Sequence, residues 1–285
     1  MESSLGKRLV GEFLGSGLTA LFGFMAVATA VVCGALDLFG VGIIFAAAIT
    51  LAIYITIAVS GASFNPAVTL AFAIFGGFPK KDVIPYWIAQ IAGWFAGAVL
   101  TYAVFGGMIT AYEASHGIVR GTLASQQTAM IFNCYAPHPL IALANNWDAS
   151  VVPTWKGILN EFFATALLLV TVFACVDEQN PFRPKAWIFA PVIGIIVALL
   201  IVVASPASMA CINPARDFGP RIATYLLGWG QASFPGGPSG LGGPWWLFWV
   251  GPGLGAIAGG ALWKYVVLPC LPKAEVVVEK QDLSM

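Results

Sequence analysis

The sequence predicts an all-α membrane protein with six transmembrane helices plus two re-entrant half-helices, arranged as an inverted repeat. Three observations predict it. The 285-residue chain is 59% hydrophobic and 9% charged, with a mean hydropathy of +0.86, whereas soluble domains carry about 25% charged residues. The string Asn-Pro-Ala occurs twice, as Asn65-Pro66-Ala67 and Asn213-Pro214-Ala215, each time heading an apolar run too short to cross a bilayer. A Glu precedes each string at a matching interval: Glu12 lies 53 residues before Asn65, and Glu161 lies 52 before Asn213.

A spanning helix needs about 20 mostly apolar residues. Six runs qualify, at about 9–33, 38–59, 83–109, 157–176, 186–206 and 244–268. The first is long enough to span, and no small-residue cleavage site follows it, so it reads as a span rather than a signal peptide. Two shorter runs, about 66–76 and 214–227, open with Pro directly after Asn. Pro suits the first helical position, where its missing N–H has no intrahelical partner, and Asn suits the N-cap. Both runs therefore read as half-helices. The chain 1–285 is then a single polytopic domain: a first repeat at about 5–109, an extracellular loop at about 110–156 with little regular structure of its own, a second repeat at about 157–270, and a polar cytoplasmic tail at 271–285.

Six spans place odd and even ones in opposite directions. Lys7, Arg8, Lys80, Lys81, Arg183, Lys185, Lys264, Lys273 and Lys280 then share one side, which is nine of the 13 basic residues. The positive-inside rule makes that side cytoplasmic, with both termini on it. Trp245, Trp246 and Trp249 open the last span at the other face, as an aromatic belt does. Three spans separate Glu12 from Glu161, so the second copy is inverted, and inverted repeats with broken helices place a site at the midplane.

Non-helical backbone at membrane depth survives only when buried in protein or lining a wet cavity. Residues 60–65 and 206–213 lead into the half-helices, and a row of their carbonyls aimed at a water-filled path satisfies that demand. At the centre Asn65 and Asn213 meet, each carbonyl capping its own half-helix and each NH2 free to donate into the pore. The helix N-termini carry about half a positive charge each, which repels cations while leaving neutral hydrogen-bonding solutes unhindered. Arg216 adds a fixed charge with several donors at membrane depth, a functional candidate by default. Asp217 and Arg221 stand four apart and pair with each other. Glu12 and Glu161 read as acceptors for the unpaired N–H groups of the re-entrant segments, with a proton relay as the other reading. Gly93 and Gly97, and Gly251, Gly255 and Gly259, allow close helix packing.

Cys33, Cys134, Cys175, Cys211 and Cys270 show no CxxC spacing and read as small buried hydrophobes rather than a disulfide framework or metal site. Cys211, two residues before Asn213, is a position from which a thiol could reach the pore. There is no metal-ligand or nucleophile–base constellation, no cofactor motif, and, at zero net charge, nothing to suggest nucleic acid as a partner. The sequence does not read as an enzyme.

The string Ser60-Gly-Ala-Ser-Phe-Asn-Pro-Ala-Val-Thr69 resembles the first signature of the major intrinsic protein family, the aquaporins and glycerol facilitators. Asn213-Pro-Ala-Arg-Asp-Phe-Gly-Pro-Arg221 resembles the second. The resemblance covers about residues 5–270 and implies one pore per subunit, a lipid-embedded homotetramer, and water and small solutes as permeants. Asp217 after the second string, Arg221, the Tyr135-Ala-Pro-His-Pro139 stretch and Asp177-Glu-Gln-Asn180 are similar to the glycerol-conducting branch. Phe248-Trp249 is similar to the water-selective branch, and Ser63 stands where the first loop often has His. The family's four constriction positions map to Phe45, Ile201, Ala210 and Arg216. The resemblance thus implies a passive channel for glycerol and other small uncharged solutes, with water as co-permeant and with protons and ions excluded. A water-selective channel of the same fold and an ion-coupled transporter using Glu12 and Glu161 are the alternatives.

Overall fold

A computed structural model describes residues 3–148, 150–236 and 243–272. Six helices are long and apolar enough to cross a membrane, and the predicted half-helices lie between them. In chain order α1 is Leu5–Cys33, α2 Leu38–Ser60, α3 Pro66–Phe75, α4 Val83–Ser115, α5 Gln126–Ala129, α6 Pro139–Ala144, α7 Thr154–Val176, α8 Ala186–Ser208, α9 Pro214–Thr224 and α10 Leu247–Leu262. The last span continues beyond Leu262 through a π-turn and a 3-10 turn to Cys270. The tail beyond residue 272 lies outside the described residues.

Helix ends follow local chemistry. Asp37 caps α2 by accepting from the Gly40 N–H at 2.7 Å. Gly34 closes α1 in the left-handed conformation at φ 62°, where a residue without Cβ carries no steric penalty. The third span runs to Ser115 rather than 109. Hydropathy fades at Tyr112, Glu113 and Ser115, but the backbone stays helical to Ser115 and the chain turns at Gly117, φ 62°. Spans α1, α7 and α8 likewise extend a few residues past their apolar runs, and α9 passes at Thr224 into a π-turn whose helical backbone breaks at Gly228, next to the predicted end.

The two repeats pack alike. α1 lies on α2 and α4, and α7 lies on α8 and α10; α2 meets α8 between the repeats. Each half-helix packs on the last span of the other repeat, α3 on α10 and α9 on α4. Exposed Leu51, Val104, Leu199 and Leu254 lie on the outer surface while Glu12, Gln90, Glu161 and Arg221 are buried, the inverse of a soluble domain.

Glycines set the closest approaches. A Cβ on Gly93 would stand 2.4 Å from the Phe13 carbonyl oxygen, and one on Gly255 2.4 Å from that of Phe162. These are equivalent crossings, α4 on α1 and α10 on α7, and a backbone oxygen cannot rotate away. Gly255→Ala and Gly93→Ala should each cost about 1–3 kcal/mol by overpacking. Gly107→Ala, where a Cβ meets nothing within 4 Å, should be neutral or stabilising by about 0.5–1 kcal/mol. Thermal unfolding in detergent reads the difference.

The 110–156 connection departs most from expectation. It contains α5 and α6, and residues 125, 126 and 128–136 are buried. Rather than an irregular surface loop, it is a plug packed over α9.

Candidate functional site

The segments ahead of the half-helices share one unusual backbone. Ala62, Phe64, Ala210 and Ile212 all have positive φ, at 55°, 49°, 49° and 45°. Such non-glycine left-handed residues cost about 1–3 kcal/mol each and persist only where surroundings enforce them. Two buried carboxylates do the enforcing. Glu12 accepts from the N–H groups of Ser63 at 3.1 Å and Phe64 at 2.8 Å. Glu161 accepts from those of Cys211 at 2.9 Å and Ile212 at 2.6 Å. Gln90 Nε2 also donates to Glu12, and the Ser208 hydroxyl to Glu161. With the N–H groups drawn into the protein, the carbonyls of Ala62, Ser63, Ala210 and Cys211 carry no donor among the described hydrogen bonds, and all four residues line a cavity.

Asn65 and Asn213 head α3 and α9. Asn65 Oδ1 accepts from the Ala67 N–H at 2.9 Å; Asn213 Oδ1 accepts from Ala215 at 3.0 Å and Arg216 at 3.2 Å. Pro66 and Pro214 take the first helical positions, and Ala67 and Ala215 are buried behind them. The amides are not wholly free, contrary to expectation. Asn65 Nδ2 donates to the Ile212 carbonyl at 2.8 Å, and Asn213 Nδ2 to the Phe64 carbonyl at 3.0 Å. Each NH2 has two donors, so this exchange fixes both side chains and leaves one N–H on each for the cavity.

The cavity, about 460 Å³, is lined at one end by Asp37 and His138 and at the other by Val176 and Phe189. It passes Asn65 and Asn213 and brings together Phe45, Ile201, Ala210 and Arg216. The Arg216 guanidinium lies 4.8 Å from the Phe24 ring centroid, 5.9 Å from Phe45 and 6.0 Å from Trp94. It donates to the Phe132 carbonyl of the plug. Gly23 makes room for Phe45, since a Cβ there would meet that ring at 2.3 Å.

Charge pairing singles out Arg216. Arg8 bonds Asp82, Arg120 bonds Glu113, and Arg221 bonds Asp217. Arg216, only 7% exposed, forms no salt bridge among the described residues. The Asp217–Arg221 pair is fully buried and structural: Asp217 Oδ1 accepts from the Cys134 N–H at 2.9 Å, and Arg221 donates to the carbonyls of Cys134 and Ser233. Phe248 lies beneath Arg221, 5.5 Å from its guanidinium, and is not among the cavity-lining residues.

Sequence reasoning missed Phe24, Trp94, Met130 and Phe132. The apolar run 129–132 inside an otherwise polar connection was the available signal for the last two.

His138, at the mouth, accepts the Ile141 N–H on Nδ1 at 3.3 Å, so its ring is neutral. Burial pushes its pKa down from 6.5 to about 4. The unfolded chain therefore binds a proton below about 6.5 that the folded chain refuses until about 4. Stability is full above that window and falls as pH drops through it, by about 3 kcal/mol for a shift of this size. His138→Asn, which keeps a capping oxygen without titrating there, should flatten this part of the unfolding-temperature profile.

A sequence profile of the family described as major intrinsic protein matches residues 1–263. The propanediol uptake facilitator PduF of Citrobacter freundii is 37% identical, over 95% of this chain and 96% of that protein. The glycerol uptake facilitator protein of Haemophilus influenzae is 38% identical over 95% and 98%, and that of Escherichia coli K12 is 34% identical over 99% and 95%. Among solved structures, the aquaglyceroporin from Plasmodium falciparum matches with a TM-score of 0.76 at 21% identity, covering 93% of this chain and 98% of that one, a likeness of fold.

Proposed function

The chain belongs to the major intrinsic protein family, and from that premise we propose that it conducts glycerol and similar small polyols, propanediol among them, with water as co-permeant and with protons and ions excluded. Its coarser identity is settled by the family: it is a passive multi-pass membrane channel for small solutes, not an enzyme. The finer reading is carried by Arg216, a buried guanidinium with no ion pair among the described residues, on a cavity wall that Phe45 and Ile201 also line.

That wall has two chemistries. Carbon–hydrogen edges of a polyol lie against Phe45 and Ile201, while its hydroxyls exchange water for Arg216, the Ala62, Ser63, Ala210 and Cys211 carbonyls and the free amide hydrogens of Asn65 and Asn213. Ala210 is small, and α8 contains no His to narrow the ring. At the constriction a cation meets two half-helix N-termini and Arg216, and the Asp37 carboxylate stands away at the mouth of the cavity rather than there to replace its hydration. The termini lie in the cytoplasm by the distribution of basic residues, and the subunits assemble as a homotetramer, as the family resemblance implies.

Light scattering from proteoliposomes tests the reading. Vesicles shrunk in sorbitol should re-swell in glycerol and in propanediol well above protein-free controls. Fast water flux without polyol entry would establish the water-selective alternative, and gradient-driven accumulation would establish a transporter.

A further inference from the structure

One cluster beside the cavity combines reactive side-chain atoms that the proposed conduction does not use. Cys134, Cys211 and Asp217 are all buried, and one side-chain ligand atom from each lies within 4.8 Å of the others. The carboxylate is occupied, since its two oxygens accept from the Cys134 N–H and from Arg221. A metal ion would thus find two sulfurs and no free third donor in the cluster, and binding it as a dithiolate would bury further charge. The two thiols themselves remain available. Cys211 lines the cavity, and its Sγ donates to the Asn213 carbonyl at 3.3 Å. Cys134 belongs to the plug between α5 and α6.

We propose that Cys134 and Cys211 are a redox pair, which a small uncharged oxidant such as hydrogen peroxide closes into a disulfide tying the plug to the re-entrant segment two residues ahead of Asn213. The step balances. The thiolate of Cys211 attacks the peroxide O–O bond, giving a sulfenic acid and one water. The Cys134 sulfur then displaces the second water, so two thiols and one peroxide become one disulfide and two waters. A sulfur separation of at most 4.8 Å must shorten to about 2.05 Å, and the proposal assigns that movement to rotation of the two side chains between staggered wells. The backbone stays where it is: the Cys134 amide is held at both ends by Asp217 and Arg221, and the Cys211 N–H is held by Glu161. The product is neutral, as a buried site demands. Cys33 and Cys270 are exposed and serve as internal references. Burial slows thiolate formation, so the pair reacts more slowly than they do.

Delivery of oxidant through the cavity rests on the channel reading, so the experiment separates the two. Purified full-length protein is incubated with hydrogen peroxide or with a phosphine reductant, unfolded in N-ethylmaleimide, digested and mapped by mass spectrometry. The expected result is a Cys134–Cys211 linked peptide, two hydrogens lighter than its separate halves, formed after peroxide and lost on reduction. The unfolding temperature should rise by several degrees on oxidation, because a long loop is closed. It should not rise in Cys134→Ser or Cys211→Ser. Recovery of both residues as alkylated thiols, or of Cys211 alone as a sulfinic acid, while Cys33 and Cys270 are oxidised, overturns the proposal. The wild-type map decides, so a serine variant that fails to assemble does not blur the result. Glycerol entry into reduced vesicles tests the channel reading alone.

Discussion

Glu161→Ala is expected to abolish assembly or leave a channel melting far below the wild type. Its carboxylate is fully buried and accepts from the Ser208 hydroxyl at 2.5 Å, the Cys211 N–H at 2.9 Å and the Ile212 N–H at 2.6 Å. Each buried donor left unpaired costs about 1–3 kcal/mol, so the loss is about 3–5 kcal/mol or more, against a total stability of about 5–15 kcal/mol for ordinary proteins. The left-handed Ala210 and Ile212 lose the acceptor that enforces their conformation, so the strain is released by rearranging the cavity-lining segment 210–213. Glu161→Gln keeps shape and one acceptor oxygen but turns an NH2 group toward a donor, costing about 1–3 kcal/mol. Glu12→Gln should behave alike, with Gln90 an additional unsatisfied partner. Unfolding in detergent measures both, and the same variants decide between structural and relay roles. If the carboxylates only hold the segments, whatever protein assembles conducts down a gradient and neither wild type nor variant accumulates solute on an imposed proton gradient. Accumulation by the wild type that vanishes in the Gln variants would make the carboxylates relays.

Much of this architecture was legible because its signals are local. Six apolar runs fix six spans by length alone, and Pro66 and Pro214 behind Asn65 and Asn213 fix where the half-helices begin. The pairing of Asp217 with Arg221 follows from spacing on one helix. What was not legible is what depends on distant partners. The cross-donation of Asn65 to Ile212 joins residues 147 apart, and no pattern near either shows that half of each amide is already committed. The plug reads as a loop in sequence because its helices are short and none of its apolar runs is long enough to span. Its burial follows from Arg216, Asp217 and Arg221, whose side chains hold the backbone of 132–134 in place. Phe248 illustrates the same limit. Its similarity to the water-selective branch carries no information about where it packs, and in three dimensions it lies 5.5 Å from the Arg221 guanidinium and off the cavity wall.

Arg216→Ala should raise ion leak through the protein steeply while sparing neutral flux far more. The guanidinium lines the cavity without an ion pair among the described residues, held by the Phe132 carbonyl and the Phe24 ring. A unit positive charge about 4 Å from a passing cation contributes about 4 kcal/mol of repulsion at an effective dielectric constant near 20. Its removal should raise cation or proton permeability by up to about a thousandfold, each tenfold being about 1.4 kcal/mol. The half-helix N-termini and the two asparagines remain, so the measured gain should fall short of that bound. Glycerol is neutral and loses donors rather than a Coulomb barrier, so its entry should fall by about one hydrogen bond's worth, roughly 0.5–1.5 kcal/mol or up to about tenfold. Arg216→Lys separates the two effects. It restores the charge and hence ion exclusion, but not the planar fork that serves Phe132 and a solute hydroxyl together, so its glycerol flux should resemble that of Arg216→Ala. Proton leak read from a pH-sensitive dye inside proteoliposomes, alongside glycerol re-swelling of the same vesicles, measures both. Equal ion tightness in wild type and Arg216→Ala would assign charge exclusion to the paired half-helices alone.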